Sequence, residues 1–378
     1  MTNSLIIASA GAGKSQMLIE KALSQSSDSR KVMLITYTKH NQKELLNKIC
    51  NEVGVNPSHI IIKGWYSFLL EDMVRPYQRC IIESRISNIN FNKKGDPHKK
   101  NARNIPGTAE KYDGKYNPYH YVTRSTNKVH TTYLSKLAAR IFKETRGKTV
   151  KRLSEIYSTI LIDEVQDLTG WDFEVIAALS KESNLSVSCV GDFRQTIYLT
   201  HKASKSPKTS REKVDKFNKL GFETKEISIS RRCVQEVCDF SDIVHASDGI
   251  YPKTHSQVTE KPDKHLGVFA VPRNAIEDYI AIYKPVILRA RKGIEDNICK
   301  GNGAYTFGDS KGLGFDRVLI IPTDKQRKFF SGEENVFDKD KTDESKNKLY
   351  VAITRARYSL AFMYDGCDLR DGVKFWYG

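Results

Sequence analysis

Residues 5–15 read Leu5-Ile6-Ile7-Ala8-Ser9-Ala10-Gly11-Ala12-Gly13-Lys14-Ser15. An apolar run of strand length passes directly into a glycine turn, and a segment of helical period follows. Strand, loop and helix in that order make a phosphate-binding loop. The glycines let backbone N–H groups curl around an anion, and the helix N-terminus adds partial positive charge. Ala10, Gly11, Ala12 and Gly13 then form the cradle, Lys14 reaches the β- and γ-phosphates, and the Ser15 hydroxyl binds Mg2+. The strict pattern begins with Gly where this chain has Ala8, so the competing reading is a glycine-rich turn with a chance Gly-Lys-Ser. The strand before and the helix after favour the phosphate loop.

Further strands can be read outward from this one. Apolar runs at 5–8, 32–37, 160–162, 187–190, 226–229, 268–271, 286–288, 318–321 and 360–363 have the length and composition of buried strands, many followed by helical segments. Such alternation predicts parallel sheets and an α/β class. Nine strands over 378 residues suit two sheets better than one. The expected division is a first core over 1–84 and 151–205, an insertion over 85–150 and a second core over 206–378. The insertion holds fifteen Lys or Arg against four Asp or Glu, interleaved with Tyr112, Tyr116, Tyr119, Tyr121 and Tyr133.

Composition bounds the class. Hydrophobic residues at 39% and charged residues at 28% give a soluble globular balance. A net charge of +16 favours a polyanionic partner. Seven cysteines without a Cys-x-x-Cys pair argue for reduced thiols in a cytoplasm, and Cys233, Cys238 and His245 lack zinc spacing. No apolar run is long enough for a membrane span, and residues 5–10 lack the basic leader of a signal peptide.

The second decisive stretch is Ile160-Leu161-Ile162-Asp163-Glu164-Val165-Gln166-Asp167. Asp163 at the end of a strand is placed to hold Mg2+, and Glu164 to orient and deprotonate a water. Alone, such a pair is as often a solvated strand end. With the phosphate loop upstream it predicts a nucleotide hydrolase.

Asp163-Glu164-Val165-Gln166-Asp167 resembles motif II of the UvrD/Rep branch of superfamily 1 helicases. The loop at 8–15, with Ala first, is similar to that family's own variant. Thr36-Tyr37-Thr38-Lys39-His40-Asn41 resembles motif Ia, and Gly64-Trp65-Tyr66-Ser67-Phe68 the Thr-Phe-His-Ser-Phe motif. Gly191-Asp192-Phe193-Arg194-Gln195-Thr196-Ile197-Tyr198 resembles motif III, Gly-Asp-x-x-Gln-Ser-Ile-Tyr. Ser230-Arg231-Arg232 is similar to motif IV, and Val286-Ile287-Leu288-Arg289 to the short strand motif after it. Asp309-Ser310-Lys311-Gly312-Leu313-Gly314-Phe315-Asp316 resembles motif V, and Tyr350-Val351-Ala352-Ile353-Thr354-Arg355-Ala356-Arg357 motif VI.

The resemblance implies two RecA-like parallel-sheet cores with ATP and Mg2+ between them. Lys14, Ser15, Asp163, Glu164 and Gln195 would come from the first, and Arg232, Gly312 and Arg355 from the second. Glu164, Asp163, Gln195, Arg232 and Arg355 are the implied catalytic residues, with Ser15 and Asp163 on the metal. Thr36, Tyr37, Thr38, Trp65, Tyr66, Tyr198, Ser310 and Lys311 are the implied nucleic-acid contacts. The implied activity is a DNA helicase moving 3′→5′ on single strands and opening duplex junctions. A single-strand-stimulated ATPase that unwinds poorly alone, a motor or sensor subunit partnering a nuclease, and an RNA-directed enzyme are the alternatives.

Four departures from the family stand out. Residues 1–4 leave no room for an upstream helix whose Gln reads adenine, so ATP preference stays open. Gly308 and Gly314 replace the usual His and Glu of motif V. About eighty residues separate Arg232 from Lys311, too few for the family's large second insertion. No nuclease module fits after motif VI. The basic insertion, with Lys93, Lys94, Lys99, Lys100 and Arg103, reads as a phosphate-contacting surface whose tyrosines stack bases, against a solvated loop as the alternative. Size and Lys/Asn-rich composition suit a phage or mobile element in a bacterial host, and replication or repair partners.

Overall fold

The computed structural model describes residues 2–25, 29–54, 57–91, 95–101, 103–197, 206–207, 209–340 and 342–378. They form two compact units. The first contains Met1–Ile6, Lys14–Gly191 and Tyr198–Lys225, and the second Ile7–Gly13, Asp192–Ile197 and Glu226–Gly378.

Six main strands build the first sheet: β1 (Ser4–Ala8), β2 (Lys31–Thr36), β3 (Ile60–Gly64), β4 (Tyr157–Ile162), β5 (Ser186–Gly191) and β6 (Glu223–Ile227), in the order β6-β1-β5-β4-β2-β3. Strand β4 runs parallel to both neighbours, with Leu161 opposite Ser188 on β5 and Leu34 on β2. All six of its residues are buried, as expected of a strand covered on both faces. The helix α1 (Lys14–Ser24) turns Leu18, Ile19 and Ala22 onto Val32, Leu34 and Leu161. Helix α2 (Lys39–Val53) is capped by the Thr38 side chain and stopped by Gly54 in the left-handed region.

The basic insertion divides into two kinds of structure. Two short antiparallel hairpins pair Lys99–Lys100 with Arg103–Asn104 and Lys111–Tyr112 with Lys115–Tyr116. Helix α3 (Thr131–Glu144), by contrast, is packed: Leu134, Leu137, Ala138 and Ile141 repeat at helical spacing and are all buried. The basic composition of 85–150 thus spans both exposed hairpins and a packed helix.

In the second unit, β7 (Gly267–Val271), β8 (Val286–Arg289), β9 (Ala304–Thr306), β10 (Phe315–Ile321), β11 (Ala356–Met363) and β12 (Val373–Phe375) lie in the order β9-β8-β10-β11-β7-β12, every pair parallel. One face packs Val237, Phe240, Phe330, Leu349 and Phe362 together, the other Ile276, Tyr279, Leu319 and Trp376. Two parallel-sheet α/β cores are what the alternation of strands and helices predicts, and they match the RecA-type cores that the resemblance implies. Strands β3, β9 and β12 fall outside the nine apolar runs, and the run at 226–229 is split between β6 and a two-residue strand, Ile229–Ser230. Helix α4 (Ser210–Lys219) belongs to the first unit, where Phe217 packs on Phe173 and Phe222. Among the described residues no helix is long and apolar enough to cross a membrane.

Candidate nucleotide and nucleic-acid sites

The phosphate loop takes the shape its glycines allow. Gly11 and Gly13 have φ of +80° and +84°. A Cβ on Gly11 would lie 2.6 Å from Ser230 Oγ and 2.7 Å from Arg232 Cβ. One on Gly13 would lie 2.9 Å from an Arg231 guanidinium nitrogen. Arg231 N donates to Gly11 O at 2.9 Å. The second unit thus brings Arg232 against the loop, and Arg231 beside it, which sequence reasoning did not single out. A Cβ on Gly314, the usual Glu position of motif V, would make ordinary van der Waals contact with Arg232, 3.4 Å from its Nε. Arg232 itself donates to Thr354 O at 3.4 Å.

Asp192 organises the rest of this unit's share. Its Oδ2 accepts from Gln195 Nε2 at 2.9 Å and from Tyr350 OH at 3.1 Å. Its Oδ1 accepts from Arg194 N and Nε at 3.2 and 3.1 Å. The Tyr350 hydroxyl in turn accepts from Ala10 N at 3.4 Å. Gln195 Oε1 accepts from Arg355 at 3.4 Å, and Arg355 also donates to Leu313 O and Val351 O at 2.7 and 3.0 Å. Residues expected from four motifs, Ala10, Gln195, Arg232 and Arg355, therefore converge. Burial pushes the Tyr350 hydroxyl's pKa up, so it stays a neutral donor to Asp192.

In the first unit, Lys14 and Ser15 open α1 and are half-buried. Asp163 follows β4, held by its N–H on Ile35 O at 2.8 Å, and its Oδ1 accepts from Glu164 N at 2.9 Å. Glu164 sits at φ +52°, a left-handed conformation that costs a non-glycine residue about 1–3 kcal/mol. The Gln166 amide donates to Glu164 Oε2. Gly191 is required here, because a Cβ would run into the Gln166 side chain and 3.0 Å from Val165. Lys213, fully buried on α4, donates to Gln166 O at 2.5 Å. No motif flagged it.

The expected nucleic-acid residues divide. Tyr37 and Tyr66 are half-buried with hydroxyls 3.0 Å apart, and Phe91, 61% exposed, meets Tyr66 edge-on at 6.0 Å. Burial first, and Tyr37 second in the opposite sense, set Tyr66's hydroxyl, whose pKa is pushed up to about 12. Thr38 is exposed, with its oxygen on Asn41 N as the helix cap. Thr36 is buried. Trp65 is only 1% exposed, its indole N–H on Asp172 at 2.9 Å, so its ring is core rather than a stacking surface. Ser310 likewise turns inward, donating to Phe307 O at 2.8 Å. Lys311 is half-buried and Gly312 exposed at φ +87°. Tyr198, Lys93 and Lys94 lie outside the described residues. Of the insertion's tyrosines, Tyr121 and Tyr133 bind Glu110 and Asp96 at 2.7 Å, while Tyr112 and Tyr119 remain exposed. Cys233 and Cys238 are buried neighbours, the Cys238 thiol on Cys233 O at 3.5 Å.

A glycine loop at positive φ after a strand, a lysine and serine opening the following helix, and an Asp-Glu strand end define a P-loop nucleotide-binding protein with RecA-type cores. The chain matches the UvrD/REP helicase N-terminal domain over residues 1–83 and 81–213 and the UvrD-like helicase C-terminal domain over 305–365, and it belongs to the UvrD/REP helicase family. Two similar solved structures are the Arterivirus nonstructural protein 10 helicase, alone and in complex with DNA. Their identities to this chain are 17% and 16%, with TM-scores of 0.45 and 0.46. Each alignment covers 96% of this chain, which spans only 59% and 60% of those proteins. No curated protein matches the chain.

Proposed function

We propose that this chain is an ATP-driven motor on single-stranded DNA that separates duplex strands, moving 3′→5′. The observation that carries the reading is the bonded set around Asp192, which holds phosphate-loop residue Ala10, Gln195 and Arg355 in one network. The phosphate loop supports this reading through its backbone, with Gly11 and Gly13 at positive φ, and Gly11 lets Ser230 and Arg232 pack directly against it. In this reading Lys14 and the loop of Ala10, Gly11, Ala12 and Gly13 hold the triphosphate, with the N–H groups of Gly11 and Gly13 donating to it, while those of Ala10 and Ala12 shape the loop through Tyr350 and Ser9 O. Ser15 and Asp163 would hold Mg2+, which supplies positive charge to the phosphate oxygens when bound. Glu164 takes the proton of the attacking water, and Gln166 orients its carboxylate. Gln195, Arg232 and Arg355 offset the charge that develops on the transferred phosphoryl group, with Gly312 beside the nucleotide.

Tyr37, Thr38, Tyr66, Lys311 and Tyr198 are the proposed strand contacts, and Trp65, Thr36 and Ser310 shape the elements that carry them. A second reading is a single-strand-stimulated ATPase that unwinds little without a nuclease or a replication or repair partner. The short span between Arg232 and Lys311, about eighty residues, favours keeping it. A cytoplasmic site of action goes with either. Strand displacement on duplexes with 3′ or 5′ single-stranded tails decides between them. Release from the 3′-tailed substrate alone supports the helicase. ATP turnover with no release from either supports the second reading, and equal stimulation by RNA would overturn the choice of DNA.

A further inference from the structure

We infer that Arg194 is a positioning residue of the nucleotide site, a buried guanidinium that holds the phosphate loop through Ser9 and Gln195 through Asp192. This rests on the reading of the site given above. Motif III, Gly-Asp-x-x-Gln, leaves this position unspecified, so the assignment comes from the geometry alone.

Arg194 is 3% exposed. Its Nε donates to Asp192 Oδ1 at 3.1 Å, one terminal nitrogen to Asp242 Oδ1 at 3.1 Å and the other to Ser9 Oγ at 2.8 Å. Tyr350 and Tyr251 cover its faces, 4.6 and 4.9 Å from their ring centres. Asp242 Oδ1 also accepts from Thr254 Oγ1 at 2.9 Å, and Thr254 Oγ1 lies 3.2 Å from Ser9 Oγ. Ser9, Arg194, Asp242 and Thr254 thus close a ring of side-chain bonds. Burial works against the guanidinium's charge, and Tyr350, Asp192 and Asp242 more than offset it.

A salt bridge serving stability alone needs one carboxylate. Here three nitrogens reach three residues in different segments, and two of those segments carry proposed nucleotide contacts: Ser9 leads into the loop at 10–13, and Asp192 grips Gln195. Only a planar fork reaches all three partners, so lysine is not equivalent. Loss of Arg194 frees both segments, and misplacing a catalytic group by about 1 Å costs on the order of 100-fold in turnover.

The test compares wild type, Arg194→Ala, Arg194→Lys and Ser9→Ala by backbone amide exchange without nucleotide and by ATP turnover on single-stranded DNA. Arg194→Ala is expected to speed exchange at both 9–13 and 192–197 and to lower kcat by about 10- to 100-fold. Millimolar guanidinium ion should restore part of that kcat, an effect that lost stability alone would not show. Ser9→Ala should loosen 9–13 and leave 192–197 as in wild type. If Arg194→Ala does not fold, Arg194→Lys decides, with a folded protein and a kcat down about tenfold expected. Wild-type exchange at both segments together with unchanged kcat in the Arg194 variants would overturn the inference. A wild type without ATP turnover would instead sink the proposed function, while amide exchange still judges whether Arg194 holds the two segments.

Discussion

Gly11 shows how tightly single residues fix the phosphate loop. Its φ is +80°, and Ser230 and Arg232 stand where a side chain would go. Alanine there meets both the left-handed backbone, worth about 1–3 kcal/mol, and the collision. Gly11→Ala should weaken nucleotide binding by about tenfold or more, read by fluorescent nucleotide titration. Trp65 makes the opposite point. Trp65→Phe removes the bond to Asp172 and should cost about 1–3 kcal/mol in a melt while single-strand affinity stays at the wild-type value. A drop in affinity at unchanged stability would return Trp65 to the strand-binding set. The need for Gly11 was legible in the sequence, because a phosphate loop dictates its own backbone. The direction of Trp65 was not, because its partner Asp172 is 107 positions away and motif order says nothing about which way a ring faces. Arg194 and Lys213 were hidden for the same reason, each a charged residue made internal by partners remote in sequence.

Among the elements, the basic insertion departs furthest from its composition. Helix α3 is a core helix, so Leu137→Ala should cost about 2–5 kcal/mol by chemical denaturation. Next to it, His98 stacks on Tyr133 at 4.2 Å, with His120 and His130 close by. Burial, and then the neighbouring His120, pull the His98 pKa down to about 4; burial and His98 do the same to His130. These imidazoles are neutral in the folded chain and take protons more readily when it unfolds. Stability is therefore full above an unfolded histidine's pKa of about 6.5 and is lost as pH falls from there towards 4. Melting temperatures measured from pH 7 to pH 4 should decline across that window, and His98→Phe should flatten the decline. Most strands of the cores were legible because buried parallel strands are continuous apolar runs, although β3 was missed despite opening on Ile60-Ile61-Ile62. Strands β9 and β12 were missed because edge strands of three residues leave no run to read, and α3 was missed because the count of basic residues masked its apolar stripe.

For the whole molecule, charge and motif order make the strongest statements. A net charge of +16 predicts single-strand affinity that falls steeply with salt, log–log linear with a slope of about −0.7 per phosphate neutralised. Affinity independent of salt would assign the charge to some other role. Motif order was legible across the chain because each motif carries its own chemistry, whereas the ties between motifs, Ala10 to Tyr350 and Gln195 to Arg355, exist only after folding. The most direct test is ATP turnover by wild type, Lys14→Ala and Glu164→Gln, each with and without single-stranded DNA. Turnover by wild type should rise with DNA, neither variant should turn over ATP, and Glu164→Gln should still bind nucleotide. Wild-type turnover indifferent to DNA, or turnover that survives Lys14→Ala, would contradict the motor reading.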